Sequence, residues 1–353
     1  MTLPLVNIII VTFNQYFYTA SCVQSLLNCG YDNLKIILVD NGSDESKYQN
    51  FFNQHQGNSR LEFIRLDENL GFGGGCNLGL SRVNSGFVVF LNNDTEVAVG
   101  WLQPMVEYLE SHPEVGAVQP KIKDIKNKDY FEYAGAAGGF MDVYGFPFSR
   151  GRIFYTLEKD AGQYDEVADL VWCSGTALMT RKEILDKVGV FDEIFFMYGE
   201  ESDLCWRINH AGYRLVSVPQ SVVYHQGAGT MGLEPTYKKV FYSHRNGLIL
   251  LLKNYTVAEW WRYLTVRLGL DAVALVYYIV ISPLAFSWLG VIGAYLHLVW
   301  LSPQIWRRHW QIRAERLNSP LVLPARLYRR SVIIDYFFRR RKKFSQLDPQ
   351  NFI

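Results

Sequence analysis

Four short apolar runs, at residues 6–11, 34–39, 61–65 and 87–91, punctuate the opening quarter of the chain. Each is rich in β-branched or aromatic residues, long enough for a buried strand and too short for a helix. Between them helical patterns cover residues 16–28, stopped by Gly30, and residues 77–83. Strands alternating with helices predict an α/β fold: a mostly parallel sheet with helices on both faces. Ligands of such sheets bind beyond the carboxyl ends of the strands. Three of the runs end in polar clusters there: Thr12-Phe13-Asn14, Asp40-Asn41-Gly42-Ser43-Asp44 and Asn92-Asn93-Asp94.

Further on, the pattern weakens between residues 121 and 169, with glycines at 135, 138, 139, 145 and 151, and reads as an irregular lobe. Order returns with a strand-like 173–180, a helix from Arg181 and another over 201–211, closed by Gly212. After Glu234-Pro235 the chain turns helical and aromatic. The expected division is therefore a catalytic domain over 1–232 and a membrane-associated helical region over 233–353, with an apolar stretch at 268–300 and a basic tail at 301–353.

That tail holds twelve of the 35 basic and three of the 34 acidic residues, which leaves 23 basic and 31 acidic groups in the first 300. A basic tail beside an apolar run points to an anionic membrane surface, and nothing else in the chain reads as nucleic-acid binding. Residues 272–300 carry no formal charge, and Ser282-Pro283 splits them into pieces of 11 and 17 or so, whereas one crossing needs about 20 apolar residues. Six of the nine tryptophans (260, 261, 288, 300, 306, 310) lie in or beside this stretch, as interfacial anchoring requires. The start of the chain has no charged segment before an apolar one, and the five cysteines are scattered, as in a reducing compartment. With both flanks expected in the cytoplasm, the prediction is a re-entrant or in-plane helical hairpin on the cytoplasmic face of the membrane.

Within the clusters, Asp40 can accept hydrogen bonds from a nucleotide, or simply cap an Asx-turn. Residues 69–77 read as a glycine-rich loop opening a helix, where backbone can approach a phosphate closely. Asp94 at a strand end suits a divalent ion shared with diphosphate oxygens, because such an ion keeps few protein ligands. Three acids in four positions, Glu200, Glu201 and Asp203, open a helix: either a charged first turn or a general base facing a hydroxyl. His225 ends a β-branched run and matters if it faces Asp94.

The order of these clusters resembles the family-2 glycosyltransferases of GT-A fold, closest to the bacterial rhamnosyltransferase-like branch. The motifs are Thr12-Phe13-Asn14, Asp40-Asn41-Gly42-Ser43, Asn69-x-Gly71, Asn92-Asn93-Asp94-Thr95, Cys173-Ser-Gly-Thr176, Glu200-Glu201-x-Asp203-Leu204 and His225. The resemblance spans residues 5–230 and implies an inverting transfer from a dTDP- or UDP-linked nucleotide sugar to a glycan or lipid-linked acceptor. It implies donor contacts from Thr12, Asn14, Asp40, Asn41, Gly71, Asn77, Asn92, Asn93, Asp94, Ser174 and Gly175, with Asp40 on the base. It implies Mg2+ or Mn2+ on Asp94 and His225, and Glu201 as base with Asp203 in reserve. Two positions depart from the pattern: Asn92 replaces the first acid of D-x-D, and Glu201 stands where Asp is usual. Two rivals weigh less. A nucleotidyltransferase of similar fold should carry a Gly- and Lys- or Arg-containing loop after the first strand, where this chain has Thr12-Phe13-Asn14-Gln15-Tyr16. A non-catalytic membrane scaffold leaves Asp94, Glu201 and His225 unexplained.

Overall fold

The computed structural model describes residues 3–227, 236–281, 286–314, 324 and 326–353. The boundary expected near Gly232 and the break at Ser282-Pro283 lie outside these. Strands form in the four expected places: β1 (Val6–Thr12), β2 (Leu34–Asn41), β3 (Leu61–Leu66) and β4 (Phe87–Asn92). They pair in parallel in the order β3-β2-β1-β4. Alternate residues face opposite covers. Ile9, Ile37 and Val39 pack with Cys76 and Leu80 of α3 (Gly71–Leu80). Ile8, Ile10, Ile36 and Leu38 pack with Val23 and Leu26 of α1 (Tyr16–Leu27) and with Leu102 and Met105 of α4 (Leu102–Ser111). A sheet buried on both faces needs the continuous apolar runs seen in the sequence. α2 (Glu45–His55) follows β2.

Beyond β4 the sheet becomes mixed. In chain order come β5 (Thr95–Val97), β6 (Val115–Asp124), β7 (Gly139–Met141), β8 (Pro147–Ser149), β9 (Arg152–Ile153), β10 (Thr156–Leu157), β11 (Ala168–Asp169), β12 (Ala177–Arg181) and β13 (Arg214–His225). β12 lies antiparallel between β4 and β6, while β13 runs parallel to β6 and antiparallel to β5. Composition records burial and not strand direction, so the antiparallel insertion left no sign in the sequence.

Two local expectations are corrected. The lobe read as irregular contains a small antiparallel sheet, β10-β9-β8-β7, whose strands of two or three residues are too short to show a period. Gly145 (φ +79°) and Gly151 (φ +94°) make its turns. The glycines of residues 71–79 are not in a loop but inside α3. A Cβ on Gly79 would come within 2.5 Å of Ile9 Cγ2, and one on Gly75 within 2.7 Å of Val11 Cγ1. They are small so that the helix can lie close on β1.

After α5 (Lys182–Val188) and α6 (Glu200–His210), the chain continues as α7 (Tyr237–Asn254), α8 (Val257–Ile281) and α9 (Ser287–Ala314). Packing is continuous across the expected boundary: Leu248, Ile249, Leu250 and Leu251 of α7 share one apolar cluster with Phe191 and Trp206, and so do Tyr328, Val332 and Tyr336. The tail returns to the small sheet, with Tyr328 N donating to Met141 O at 2.9 Å. α8 and α9 have 25 and 28 residues, longer than the uncharged pieces suggested. The helices run on through charged residues that turn inward. Arg267 and Asp271 of α8 are both buried, with the guanidinium Nε 3.0 Å from each carboxylate oxygen. Arg267 also donates to Tyr144 O at 2.9 Å, and Asp271 meets His244 of α7 at 3.0 Å and Tyr295 Oη of α9 at 2.6 Å. The opposite face of α8 exposes Val273, Val276, Ile279 and Val280. By length and composition one described helix, Val257–Val280 with mean hydropathy 1.5, could cross a membrane.

Candidate active site

Three loops at the carboxyl ends of β1, β2 and β4 are tied into one surface. Asn14 takes a left-handed conformation (φ +60°), and its Oδ1 accepts from Asp44 N at 3.0 Å while its own N–H donates to Ser43 Oγ at 2.8 Å. The β1 loop is thereby fastened to the β2 loop. Asn93 Nδ2 donates to Thr12 Oγ1 at 3.3 Å and Thr19 Oγ1 at 3.2 Å, which fastens the β4 loop to β1. Asp40, 1% exposed, accepts from Ser43 N at 3.3 Å and lies 3.5 Å from Arg65 Nε.

Two of the expected donor contacts spend their amides on the protein. Asn41 Nδ2 donates to Asn69 Oδ1 and Gly71 O, both at 3.0 Å, and Asn41 Oδ1 accepts from Leu70 N. Asn77 brackets Phe191, donating to its carbonyl at 2.9 Å and accepting from its N–H at 3.0 Å. Gly71 (φ +76°) is required where it stands, because a Cβ would lie 2.4 Å from Phe196 O.

The pairing of β13 with β5 sets His225 opposite Thr95 and so beside Asp94. His225 Nε2 lies 3.0 Å from Asp94 Oδ1, and Nδ1 lies 3.0 Å from Glu132 Oε2. Asp94, His225 and Glu132 are all buried. Burial disfavours the imidazolium, but the two carboxylates, Glu132 foremost, outweigh it and raise His225 to about 10. Burial likewise works against the Asp94 carboxylate, and His225 overrides it, lowering Asp94 below its usual value. Glu132 was not foreseen: it stands in Tyr130-Phe-Glu-Tyr133 with no motif around it, and its only signal is a carboxylate in an apolar stretch.

Residues just before β12 and at the start of α6 close on this surface. Thr176 Oγ1 lies 3.5 Å from Asn92 Nδ2, which in turn lies 3.4 Å from His225 Nε2. A Cβ on Gly175 would sit 3.7 Å from Glu201 Cβ. Ser174 is built into the frame through Gln119 Oε1 (2.8 Å, from Ser174 N) and its hydroxyl on Ala134 O. Close approaches thus join Asp94, His225, Asn92 and Thr176, and Gly175, next in the chain, lies near Glu201.

At the start of α6 the three acids have different surroundings. Asp203 is fully buried between cations, 3.0 Å from Arg207 Nε and 2.7 Å from Lys253 Nζ. That is the charged, structural role. Glu200 is buried, and burial and the neighbouring Glu201 push its carboxyl well up. Glu201 is half-buried, accepts from Gly199 N at 3.2 Å, and is raised by burial. A carboxylate raised towards neutrality and not tied to a cation can take a proton. The loop before α6 is held by α7: Asn246 Nδ2 donates to the carbonyls of Phe195, Met197 and Tyr198 at 3.1, 2.7 and 2.5 Å.

Asp94 and His225 Nε2 face each other with Glu132 behind Nδ1, the arrangement in which an outer carboxylate fixes the tautomer of a metal-binding histidine. Among the described residues, no three His, Cys, Asp or Glu side chains converge to hold an ion. Two protein ligands fit an ion that takes its remaining ligands from a diphosphate and water.

The profile of the family described as "Glycosyl transferase family 2" matches residues 7–189. An uncharacterised protein, y4gI, of Sinorhizobium fredii is 30% identical over 67% of this chain, which spans only 26% of that relative's length. The N-acetylglucosaminyl-diphospho-decaprenol L-rhamnosyltransferase of Mycobacterium tuberculosis is 27% identical over 65% of this chain and 77% of its own. Among solved structures, GalNAc-T7 with UDP, GalNAc and Mn2+ superposes with a TM-score of 0.57 at 17% identity, covering 72% of this chain and 49% of that one. At that identity the likeness is one of fold.

Proposed function

The chain belongs to glycosyl transferase family 2, and from that premise we propose that it moves rhamnose, with inversion, from a dTDP- or UDP-linked donor to a hydroxyl of a lipid-linked or cell-surface glycan. The observation that carries this reading is the buried Asp94–His225 pair at the end of β4, from which Asn92, Thr176 and Gly175 lead towards Glu201. The Mycobacterium relative, by its name, supports the sugar and the lipid-diphosphate acceptor.

In this mechanism Glu201 accepts the proton of the acceptor hydroxyl as that oxygen attacks the anomeric carbon. Its raised carboxyl is matched to the task, because a base works best when its pKa approaches the working pH. Asp40, in its buried pocket beside Arg65, receives the nucleotide base. Asn92 offers an amide to the donor where the family pattern has an acid. Asn41, Asn77 and Ser174 act by shaping the loops and do not touch the donor. Asp203, held by Arg207 and Lys253, steadies α6 and does not serve as base. Asp94 and His225 Nε2 would hold Mg2+ or Mn2+, whose contribution is to neutralise charge on the leaving diphosphate. Holding donor and acceptor together in one cleft supplies much of the remaining rate.

The enzyme works at the cytoplasmic face of the membrane. The outer faces of α8 and α9 expose Val276, Val280, Leu296, Val299 and Trp300, and the basic run 339–343 lies beside exposed Phe337 and Phe338. Apolar side chains flanked by arginines suit an anionic bilayer surface. The buried Arg267–Asp271 pair at the middle of α8 clamps that helix to α7 and Tyr144, which supports an in-plane arrangement over a crossing.

The decisive experiment is a donor screen with dTDP-rhamnose, UDP-galactofuranose and UDP-hexosamines, run on the parent and on Glu201→Gln. Transfer of rhamnose that collapses in Glu201→Gln supports the reading. Transfer of another sugar, or full turnover in that variant, overturns the donor or the base respectively.

A further inference from the structure

Next in sequence to Glu132 is Tyr133, and its ring carries two cations. Arg152 of β9 stacks with Cζ 3.4 Å from the ring centroid, and Lys239 in the first turn of α7 approaches to 5.4 Å. Arg152 is only 9% exposed. Its Nε donates to Phe154 O at 2.9 Å, and among the described residues its terminal nitrogens donate to no protein oxygen and no carboxylate pairs with it. The other deeply buried arginines are provided for: Arg267 by Asp271, Arg245 by three oxygens, Arg150 by Ser217 and two carbonyls. A guanidinium held on a ring face by one carbonyl keeps its terminal N–H groups open for an anion.

Its surroundings say which kind. Tyr133 lies within electrostatic reach of Tyr155, Tyr198 and Tyr278, and the last of these stacks edge-on with Tyr277, ring centroids 5.7 Å apart. Tyr198 is at the catalytic end, close to Glu200 and Glu201. Tyr277 and Tyr278 belong to α8, where the next residues in the chain, Ile279 and Val280, are exposed apolar side chains. Tyr133 and its two cations therefore stand between Tyr198, beside the candidate base, and the tyrosines of α8. Phenolic hydroxyls and guanidinium groups are donors suited to phosphate oxygens.

We propose that Arg152 on Tyr133, with Lys239, forms the subsite for the diphosphate of a lipid-linked acceptor, whose sugar hydroxyl reaches Glu201 while its lipid runs out over α8. This rests on the reading of Glu201 as base and of the acceptor as lipid-linked. Lys239 and Arg152 supply the charge, and the tyrosines supply the donors and the walls.

The test uses the full chain in detergent with two acceptors bearing the same sugar: one on a diphosphate with a short prenyl chain, one on an alkyl glycoside without phosphate. Arg152→Met keeps a stem over Tyr133 and removes the charge. KM for the diphosphate acceptor should rise by about 10–100-fold, the loss of one charge-assisted contact, with KM for the glycoside and the affinity for nucleoside diphosphate unchanged. Arg152→Lys should recover part of the loss. Weaker nucleoside diphosphate binding with an unchanged acceptor KM would overturn the proposal and assign Arg152 to the donor. An acceptor KM within twofold of the parent would overturn it as well. Should the parent use neither acceptor, the lipid-linked reading itself has failed. Calorimetry with inorganic pyrophosphate, at saturating nucleoside diphosphate, then decides the subsite: binding lost in Arg152→Met upholds it, and equal or absent binding ends it. Sedimentation with anionic vesicles separates the remaining source of phosphate, since a headgroup site would show as weaker vesicle binding in Arg152→Met and would refute the acceptor assignment.

Discussion

Replacing Gly79 by alanine asks whether the glycines of α3 serve packing or a phosphate. In the interior of an exposed helix the change should stabilise by about 1 kcal/mol, because alanine has the better helix propensity. Gly269 offers that control: it lies in α8 and a Cβ there would meet nothing within 4 Å. At Gly79 the same methyl would fall 2.5 Å from Ile9 Cγ2 and 3.2 Å from Val39 Cγ2, both branches of fully buried side chains that cannot withdraw. Overpacking of that kind costs about 1–3 kcal/mol, and two contacts inside normal distance put it in the upper part of that range. The net expectation is a loss of about 1–2 kcal/mol for Gly79→Ala against a gain of about 1 kcal/mol for Gly269→Ala. At roughly 2–4 °C per kcal/mol, the two melting temperatures should stand about 5–10 °C apart in the same detergent. Calorimetry with nucleoside diphosphate completes the assay, and affinity should be nearly unchanged in both. If Gly79→Ala melts with the parent and binds nucleotide poorly, the glycines cradle a phosphate and the packing argument is refuted.

Glu201→Gln should lower turnover by about 10²–10⁴ with donor affinity unchanged. Because burial holds Glu201 above its ordinary 4.5, the parent's rate should fall as pH drops through a midpoint above 4.5, and a flat acid limb would dismiss Glu201 as base. Asp94→Asn and excess chelator should each abolish transfer while the melting profile is kept; full activity in chelator would dismiss the ion. Lys253→Met leaves Asp203 and Asp192 each one cation short in buried surroundings and should cost about 3–5 kcal/mol, less in the double variant with Asp203→Asn. For Asp192, burial acts to raise the carboxyl, but Lys253 and Arg308 override it and hold it down to about 2. Its contribution is therefore complete above the unfolded value of about 3.8 and lost as pH falls towards 2, which an acid titration of unfolding would record.

The buried strands were legible because a parallel sheet covered on both sides needs unbroken β-branched runs. The polar strand ends were legible because ligands of such sheets bind there. What stayed hidden has physical reasons. Glycine is ordinarily a helix breaker, so a helix made of glycines to lie flat on β1 read as a loop. Asn41 and Asn77 stand in motif positions, yet an amide's donors and acceptor serve a loop as readily as a ligand, and no sequence shows which. Glu132 reaches His225 through a turn between strands that pattern reasoning did not find. Arg152 gave no sign at all, for its interest lies in an absent partner, which only packing reveals.

Asn246, on a helix expected in the membrane region, latches the loop that leads into α6 and the proposed base Glu201. A shortened chain ending before α7 would not be a smaller soluble enzyme but one with its active-site loop unlatched. Nor could this catalytic half be grafted onto another anchor by joining the two at a linker. The half proposed to choose the sugar and the half proposed to rest on lipid must change in step, each substitution in one judged by the other.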